Sequence, residues 1–209
     1  MAHYCGESQG KVIGTSLLIV LLALAVAPHA LAQGMLTSLT WCPSFTAGET
    51  RNLIGDATWR PFGIDIKGFM TPQVALGVSF DWRMFDTVTD EIIEIEDGHV
   101  SGIQNRRIYA TPVLITSSYY FRSFKNYPRY IPYVSGGLGA YWVENKLEIG
   151  IYTEQTREWE FGVALELGTL VEFSYGYALL NLKYNHAFAS EGQEAVSFLS
   201  LGIGIVDTY

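Results

Sequence analysis

Residues 159–167 read Trp-Glu-Phe-Gly-Val-Ala-Leu-Glu-Leu. Trp159, Phe161, Val163, Leu165 and Leu167 are large and apolar, and the residues between them (Glu160, Gly162, Ala164, Glu166) are charged or small. Successive side chains of a β-strand leave opposite sides, so a period of two describes a strand with unlike faces. Two architectures can house it. In a soluble sandwich the polar face meets water and the apolar face meets a core. In a membrane barrel the polar face lines the lumen and the apolar face meets lipid.

The same alternation recurs along the chain. Phe62, Ile64 and Ile66 alternate with Gly63, Asp65 and Lys67. After the short turn Thr71-Pro72-Gln73, Val74, Leu76, Val78, Phe80 and Trp82 alternate with Ala75, Gly77, Ser79, Asp81 and Arg83, which makes the two segments a hairpin. Val134, Leu138 and Trp142 oppose Gly137, Gly139 and Tyr141. Leu180, Leu182 and Tyr184 alternate with Asn181, Lys183 and Asn185, and Leu199, Leu201, Ile203 and Ile205 with Ser200, Gly202 and Gly204. Residues 107–120 have strand composition, although Pro112 removes a ladder hydrogen bond, and residues 35–42 form a weaker strand. That predicts eight strands. Long polar loops at 43–58, 86–106, 144–157 and 189–194 alternate with short turns. An even strand number with alternating connection lengths predicts a membrane barrel.

Composition agrees. Only 16% of residues are charged, against roughly 25% in soluble domains. The aromatic residues cluster by position: Trp59, Trp82, Trp142 and Trp159 fall where strands meet long loops, and Tyr120, Tyr130 and Tyr133 fall near the short turns. Two such groups predict aromatic girdles at both membrane interfaces. The expected fold is all-β, an eight-stranded antiparallel up-and-down transmembrane β-barrel. Asp65, Lys67, Asp81, Arg83, Glu160, Glu166 and Lys183 then face the lumen. Charges of both signs in a narrow barrel are expected to pair, because an unpaired buried charge is costly.

The N-terminus predicts export. Lys11 precedes an apolar run, Pro28 ends it, and Ala30-Leu31-Ala32 offers a small-x-small cleavage pattern before Gln33. Residues 1–32 read as a signal peptide cleaved near Ala32, and residues 33–209 as one barrel domain. Cys42 then stands alone, so no intrachain disulfide is expected. No later apolar run is long enough for a transmembrane helix. The net charge of −8 disfavours a nucleic-acid partner.

Residues 133–141 (Tyr-Val-Ser-Gly-Gly-Leu-Gly-Ala-Tyr), residues 183–188 (Lys-Tyr-Asn-His-Ala-Phe), the signal peptide and the terminal Tyr209 together resemble the small outer-membrane β-barrel family related to the OmpA transmembrane domain and OmpX. The resemblance spans residues 35–209. It implies residence in the outer membrane of a Gram-negative bacterium, contact with outer-membrane lipid, and recognition of the C-terminal strand by the outer-membrane insertion machinery. One departure stands out: Asp207, two residues before Tyr209, occupies a position where the family pattern is apolar or aromatic.

Function is expected to be non-enzymatic, structural or surface-binding in an adhesion-like way, with specificity in the outer loops. The acidic loop 86–106, with Asp90, Glu91, Glu94, Glu96 and Asp97, could meet an extracellular ligand; it lacks the spacing of a preformed cation cage, so no metal or cofactor is expected. Three other classes were weighed. A narrow solute channel needs a continuous polar lumen. A lipid-modifying enzyme of the lipid A deacylase type would use His186 with Ser190 and Glu191 or Glu194, but the spacing differs from that of such enzymes, and no catalytic residue is assigned. A secreted soluble barrel carrying an apolar ligand would point its apolar face inward, which the lumen carboxylates oppose.

Overall fold

The computed structural model describes residues 34–48, 50–53, 57–95, 98–124, 128–149, 152–174, 176–189 and 195–208. For residues 52–53, 88–95, 98–104, 149, 152 and 154 the description is of the backbone alone. The expected signal peptide, the centre of the 189–194 loop and Tyr209 lie outside the described residues.

In chain order the elements are β1 (Met35–Trp41), β2 (Ser44–Ala47), the single-turn helix α1 (Thr50–Leu53), β3 (Ala57–Thr58), β4 (Phe62–Phe69), β5 (Val74–Ile95), β6 (Gly98–Tyr120), β7 (Tyr130–Ile149), β8 (Tyr152–Phe173), β9 (Gly176–Ala187) and β10 (Val196–Thr208). Every pairing is antiparallel, and β1 pairs with both β4 and β10, so the sheet closes on itself. β1 with β2, and β3 with β4, each form one interrupted stave, which gives a barrel of eight staves. Closure leaves no backbone edge in the spanning wall, as lipid requires.

Directly paired residues trace the stagger. The path runs from Leu36 through Lys67, Gly77, Thr116, Gly137, Ala164, Asn185 and Phe198 and returns to the first stave at Thr46, ten residues beyond its start. Such a shear tilts the strands roughly 35–45° from the barrel axis.

The first two staves break at prolines. Between the pairs Trp41↔Phe62 and Ser44↔Thr58 one stave advances three residues and the other four, so the second carries a bulge. Pro43 and Pro61, which have no N–H to donate, sit at this break. The Cys42 N–H reaches the Pro61 carbonyl at 3.4 Å, and the Leu201 N–H reaches the Pro43 carbonyl at 2.9 Å. Pro112 has a related effect: the β5–β6 pairing passes from Phe80↔Val113 to Arg83↔Ala110 without a pair between them.

The two faces are inverted relative to a soluble protein. Outward-facing Leu165 and Ile205 are 64% and 61% exposed, whereas Lys67 and Arg83 are 3% and 0% exposed. A continuous apolar outer wall around buried charges is stable only in lipid. This overturns the soluble-carrier alternative, whose apolar face would point inward.

Two expected loops are corrected. Residues 86–106 and 144–157 are mostly strand: β5 and β6 pair as far as Ile95↔Gly98, and β7 and β8 as far as Ile149↔Tyr152. Beyond the membrane both faces of a hairpin can meet water, so the apolar–polar period that marks the spanning segments fades. The surviving signal is β-branched composition, with Thr87, Val88, Thr89, Ile92, Ile93, Ile95, Val100 and Ile103 in the first hairpin. Within 43–58, β2, α1 and β3 replace a continuous loop.

Candidate functional site

The lumen is built from the inward parity of each strand. Asp81 is its centre. Its Oδ2 accepts a hydrogen bond from the Lys183 ammonium at 2.7 Å and lies 3.2 Å from Nη1 of Arg83. Lys183 also donates to the Ser79 hydroxyl at 2.9 Å. Arg83 Nε donates to the Ser44 hydroxyl at 3.0 Å, Ser44 lies 2.8 Å from the Ser200 hydroxyl, and the guanidinium covers the Phe198 ring at 4.7 Å. Glu166 accepts from the Tyr133 hydroxyl and, at 2.6 Å, from Asn181 Nδ2. The Lys67 ammonium stands 5.5 Å from the centroid of the Tyr133 ring, and the Ser38 hydroxyl donates to Asp65 at 3.0 Å.

All seven lumen residues named from the sequence are therefore buried inside the barrel. Six meet a charged, hydroxyl or ring partner. Glu160 does not: both of its carboxylate oxygens are buried with no hydrogen-bond partner among the described residues. Its cross-strand neighbour is Tyr141, which belongs to an apolar layer with Phe85, Ile108, Val143, Ala187 and Phe198.

That layer lies toward the long-hairpin end. A second apolar layer (Leu36, Phe69, Tyr120, Ile131, Leu170, Tyr177) fills the short-turn end, where Phe124 from the β6–β7 turn packs edge-on against Phe69, Tyr120 and Tyr177. The polar belt thus lies between two apolar clusters. Sequence reasoning assigned these positions to strands without seeing that they form layers, because layering depends on how the tilted strands align.

Two tyrosines lie over glycines. A Cβ on Gly168 would sit 2.6 Å from the Tyr133 ring, and one on Gly162 would sit 2.5 Å from the Tyr141 ring. Gly168→Ala is expected to push the Tyr133 ring off its seat and loosen its hydroxyl from Glu166, lowering stability by about 1–3 kcal/mol. The urea midpoint of the barrel folded into lipid vesicles measures this; an unchanged midpoint would show that the ring moves aside freely.

The interfacial aromatics divide. Trp59, Trp159 and Tyr130 are exposed on the outer wall. Trp82 and Trp142 also face outward, partly covered by the rings of Phe62 and Trp159 at 5.9 and 5.1 Å. Tyr120 and Tyr133 are corrections: they are 1% and 3% exposed, point into the lumen and stack on each other at 5.4 Å. Strand parity decides this. Tyr120 shares a face with Ser118 and Thr116, and Tyr133 with Ser135, whereas exposed Tyr119 and Phe121 carry the girdle.

His186 finds a serine on β10, and Ser190, Glu191 and Glu194 lie outside the described residues. Its Nδ1 is 2.7 Å from the hydroxyl of Ser197, its directly opposite neighbour on β10. Ser197 is only 6% exposed, and its N–H donates to the Thr50 hydroxyl at 2.8 Å. A nucleophile must be reachable by its substrate, so this pair reads as a latch joining α1 to the wall. Cys42 is buried, with its sulfur 3.9 Å from Nη2 of Arg83.

Beyond the girdle, β5–β8 project as a four-stranded sheet. Pairing of β4 with β5 stops at Phe62↔Trp82, and that of β8 with β9 at Gly162↔Ala187, extended one step by the Phe188 N–H to the Phe161 carbonyl. Among the described residues no strand is paired with that side of β5 beyond Trp82, although β3 runs beside its first residues there, and none is paired with that side of β8 before Phe161. An ion pair links β7 to β8, Arg157 Nε with Glu144 Oε2 at 3.1 Å, and another runs along β7, Lys146 with Glu148. The Lys146 hydrogen bond holds the exposed Glu148 carboxyl below its ordinary value. Such exposed pairs add little stability.

No protein-family model matches the chain, and no curated protein matches it in sequence. Its fold has solved counterparts. Neisserial surface protein A aligns with a TM-score of 0.52 at 8% identity, over 83% of this chain and 94% of that one. Ail, the attachment invasion locus protein of Yersinia pestis, aligns at 0.48 and 13% identity, over 84% and 99%. The N-terminal β-barrel domain of Pseudomonas aeruginosa OprF aligns at 0.47 and 16% identity, over 84% and 98%. The chain has the fold of the small eight-stranded outer-membrane barrels.

Proposed function

We propose that this is a non-enzymatic outer-membrane protein that binds extracellular partners through the projecting sheet of β5–β8. One observation carries the reading. These strands are 22, 23, 20 and 22 residues long, whereas a tilted strand crosses a membrane in about 9–11 residues. The excess has no role in spanning. It presents two backbone edges that no described strand pairs along their outer length, and such edges are templates for an added strand. The apolar clusters on either side of the polar belt support a scaffold over a conduit, and the roofed Ser197 supports binding over lipid hydrolysis.

The test is adhesion of whole cells displaying the chain to immobilised extracellular-matrix protein. Thr153→Lys combined with Gln155→Lys places two charges on the β8 edge, where Thr153 and Gln155 are exposed. Binding is expected to fall by about tenfold while the unboiled protein still migrates as a folded barrel in a detergent gel. Equal adhesion of both strains, or no adhesion by the parent, would overturn the proposal.

A further inference from the structure

Asp207 is an acid on the lipid-facing side of β10, and nothing in the lumen or the projecting sheet uses it. It closes one end of a trough of about 650 Å³ on the outer wall near the short turns, lined by Met35, Thr37 and Leu39 of β1, Ile205 and Asp207 of β10, and Phe173 of β8. The trough follows from small residues. Phe173 is directly opposite Gly176, and Ile205 directly opposite Ala178, so β9 raises little side chain between them. On the other flank Thr37 is the direct partner of Asp207.

The chemistry of this trough is two-part. Leu39 and Ile205 are 52% and 61% exposed and belong to the wall that faces hydrocarbon. Phe173, at the end of β8 beside the turn, is an exposed aromatic where the wall meets headgroups. Asp207 is also exposed at that end, and among the described residues no ion pair holds it. A carboxylate at headgroup level repels anionic lipid and favours a cation with N–H groups to donate.

We propose that the trough between β1, β10 and Phe173 is a binding site for one phospholipid with a primary-ammonium headgroup, its acyl chain lying along Leu39 and Ile205 and its ammonium on the Asp207 carboxylate. The short-turn end places this lipid in the inner leaflet. This site is independent of the projecting sheet.

The experiment uses the full chain folded into nanodiscs containing equal parts of phosphatidylethanolamine, phosphatidylcholine and phosphatidylglycerol, extracted into mild detergent and examined by native mass spectrometry. Phosphatidylethanolamine is expected to be retained by the parent protein about fivefold over phosphatidylglycerol, the factor one exposed charge pair supplies, and also over phosphatidylcholine, whose quaternary ammonium has the charge but no N–H to donate to the carboxylate. Asp207→Asn is expected to keep a bound lipid but lose that preference. Thr37→Trp, which fills the trough, is expected to lose the lipid, with the gel-shift of the unboiled protein reporting that each variant is folded. Equal retention of the three lipids by the parent, preference for phosphatidylglycerol, a preference unchanged in Asp207→Asn, or a co-purifying polypeptide in place of lipid would overturn the proposal. The parent-protein comparison decides the matter even where a variant fails to fold.

Discussion

Asp81→Ala is expected to destabilise the barrel by about 3–5 kcal/mol, the cost of breaking a buried ion pair from one side. Asp81 holds both Lys183 and Arg83, and all three residues are at most 5% exposed. Without it the Lys183 ammonium keeps, among the described residues, its hydrogen bond to Ser79 and the cross-strand Glu166 carboxylate, and Arg83 keeps Ser44 and the Phe198 ring. Both side chains are buried between the two apolar layers. Urea titration of barrels folded into lipid vesicles, followed by tryptophan fluorescence, gives the value. Removing the partner as well should recover much of the loss: Asp81→Ala with Lys183→Met is expected to lie closer to the parent than Asp81→Ala alone, because a well-packed apolar pair can replace a buried ionic one. A loss below about 1 kcal/mol for the single variant would show that lumen water screens these charges.

Glu160 predicts the opposite sign. It is 2% exposed, both its oxygens lack hydrogen-bond partners among the described residues, and it sits beside Tyr141 in the outer apolar layer. The folded barrel therefore bears the desolvation of a carboxyl group without a compensating hydrogen bond. Glu160→Leu is expected to raise stability by about 1–4 kcal/mol, the range seen when buried ionic groups give way to apolar ones of similar volume. Glu160→Gln should recover less, since its amide would still lack partners. The same urea titration decides, and a lower midpoint for Glu160→Leu would mean that the carboxylate has a partner in the folded barrel. The opposite signs at Asp81 and Glu160 make the pair of variants a direct test of the lumen network, because both are buried carboxylates on inward-facing strand positions.

Much of the wall was legible without coordinates, and the reason is local. Side chains alternate along a strand whatever surrounds it, so Asp65, Lys67, Asp81, Arg83, Glu160, Glu166 and Lys183 could be placed on one face by parity alone. Aromatic composition misled at Tyr120 and Tyr133, which suit an interface by type but face inward by parity. Tyr119 and Tyr120 are equally suited to an interface by composition, and a count from the strand centre was needed to send Tyr120 inward. The outer hairpins were legible only through β-branched residues, because no apolar stripe marks a sheet with water on both faces.

What a sequence of this kind determines by itself is the set of faces: an apolar outer wall, a charged inner one, and therefore a barrel in lipid. Only the tertiary structure decides which inward charges meet. Asp81 and Lys183 are 102 residues apart in the chain and 2.7 Å apart in the lumen, and Glu160 on the same inner wall meets no hydrogen-bond partner among the described residues. The difference comes from closure. Strand register and the ten-residue stagger set the height of every side chain relative to those across the barrel. Those heights are a property of the whole closed sheet, which no single strand carries.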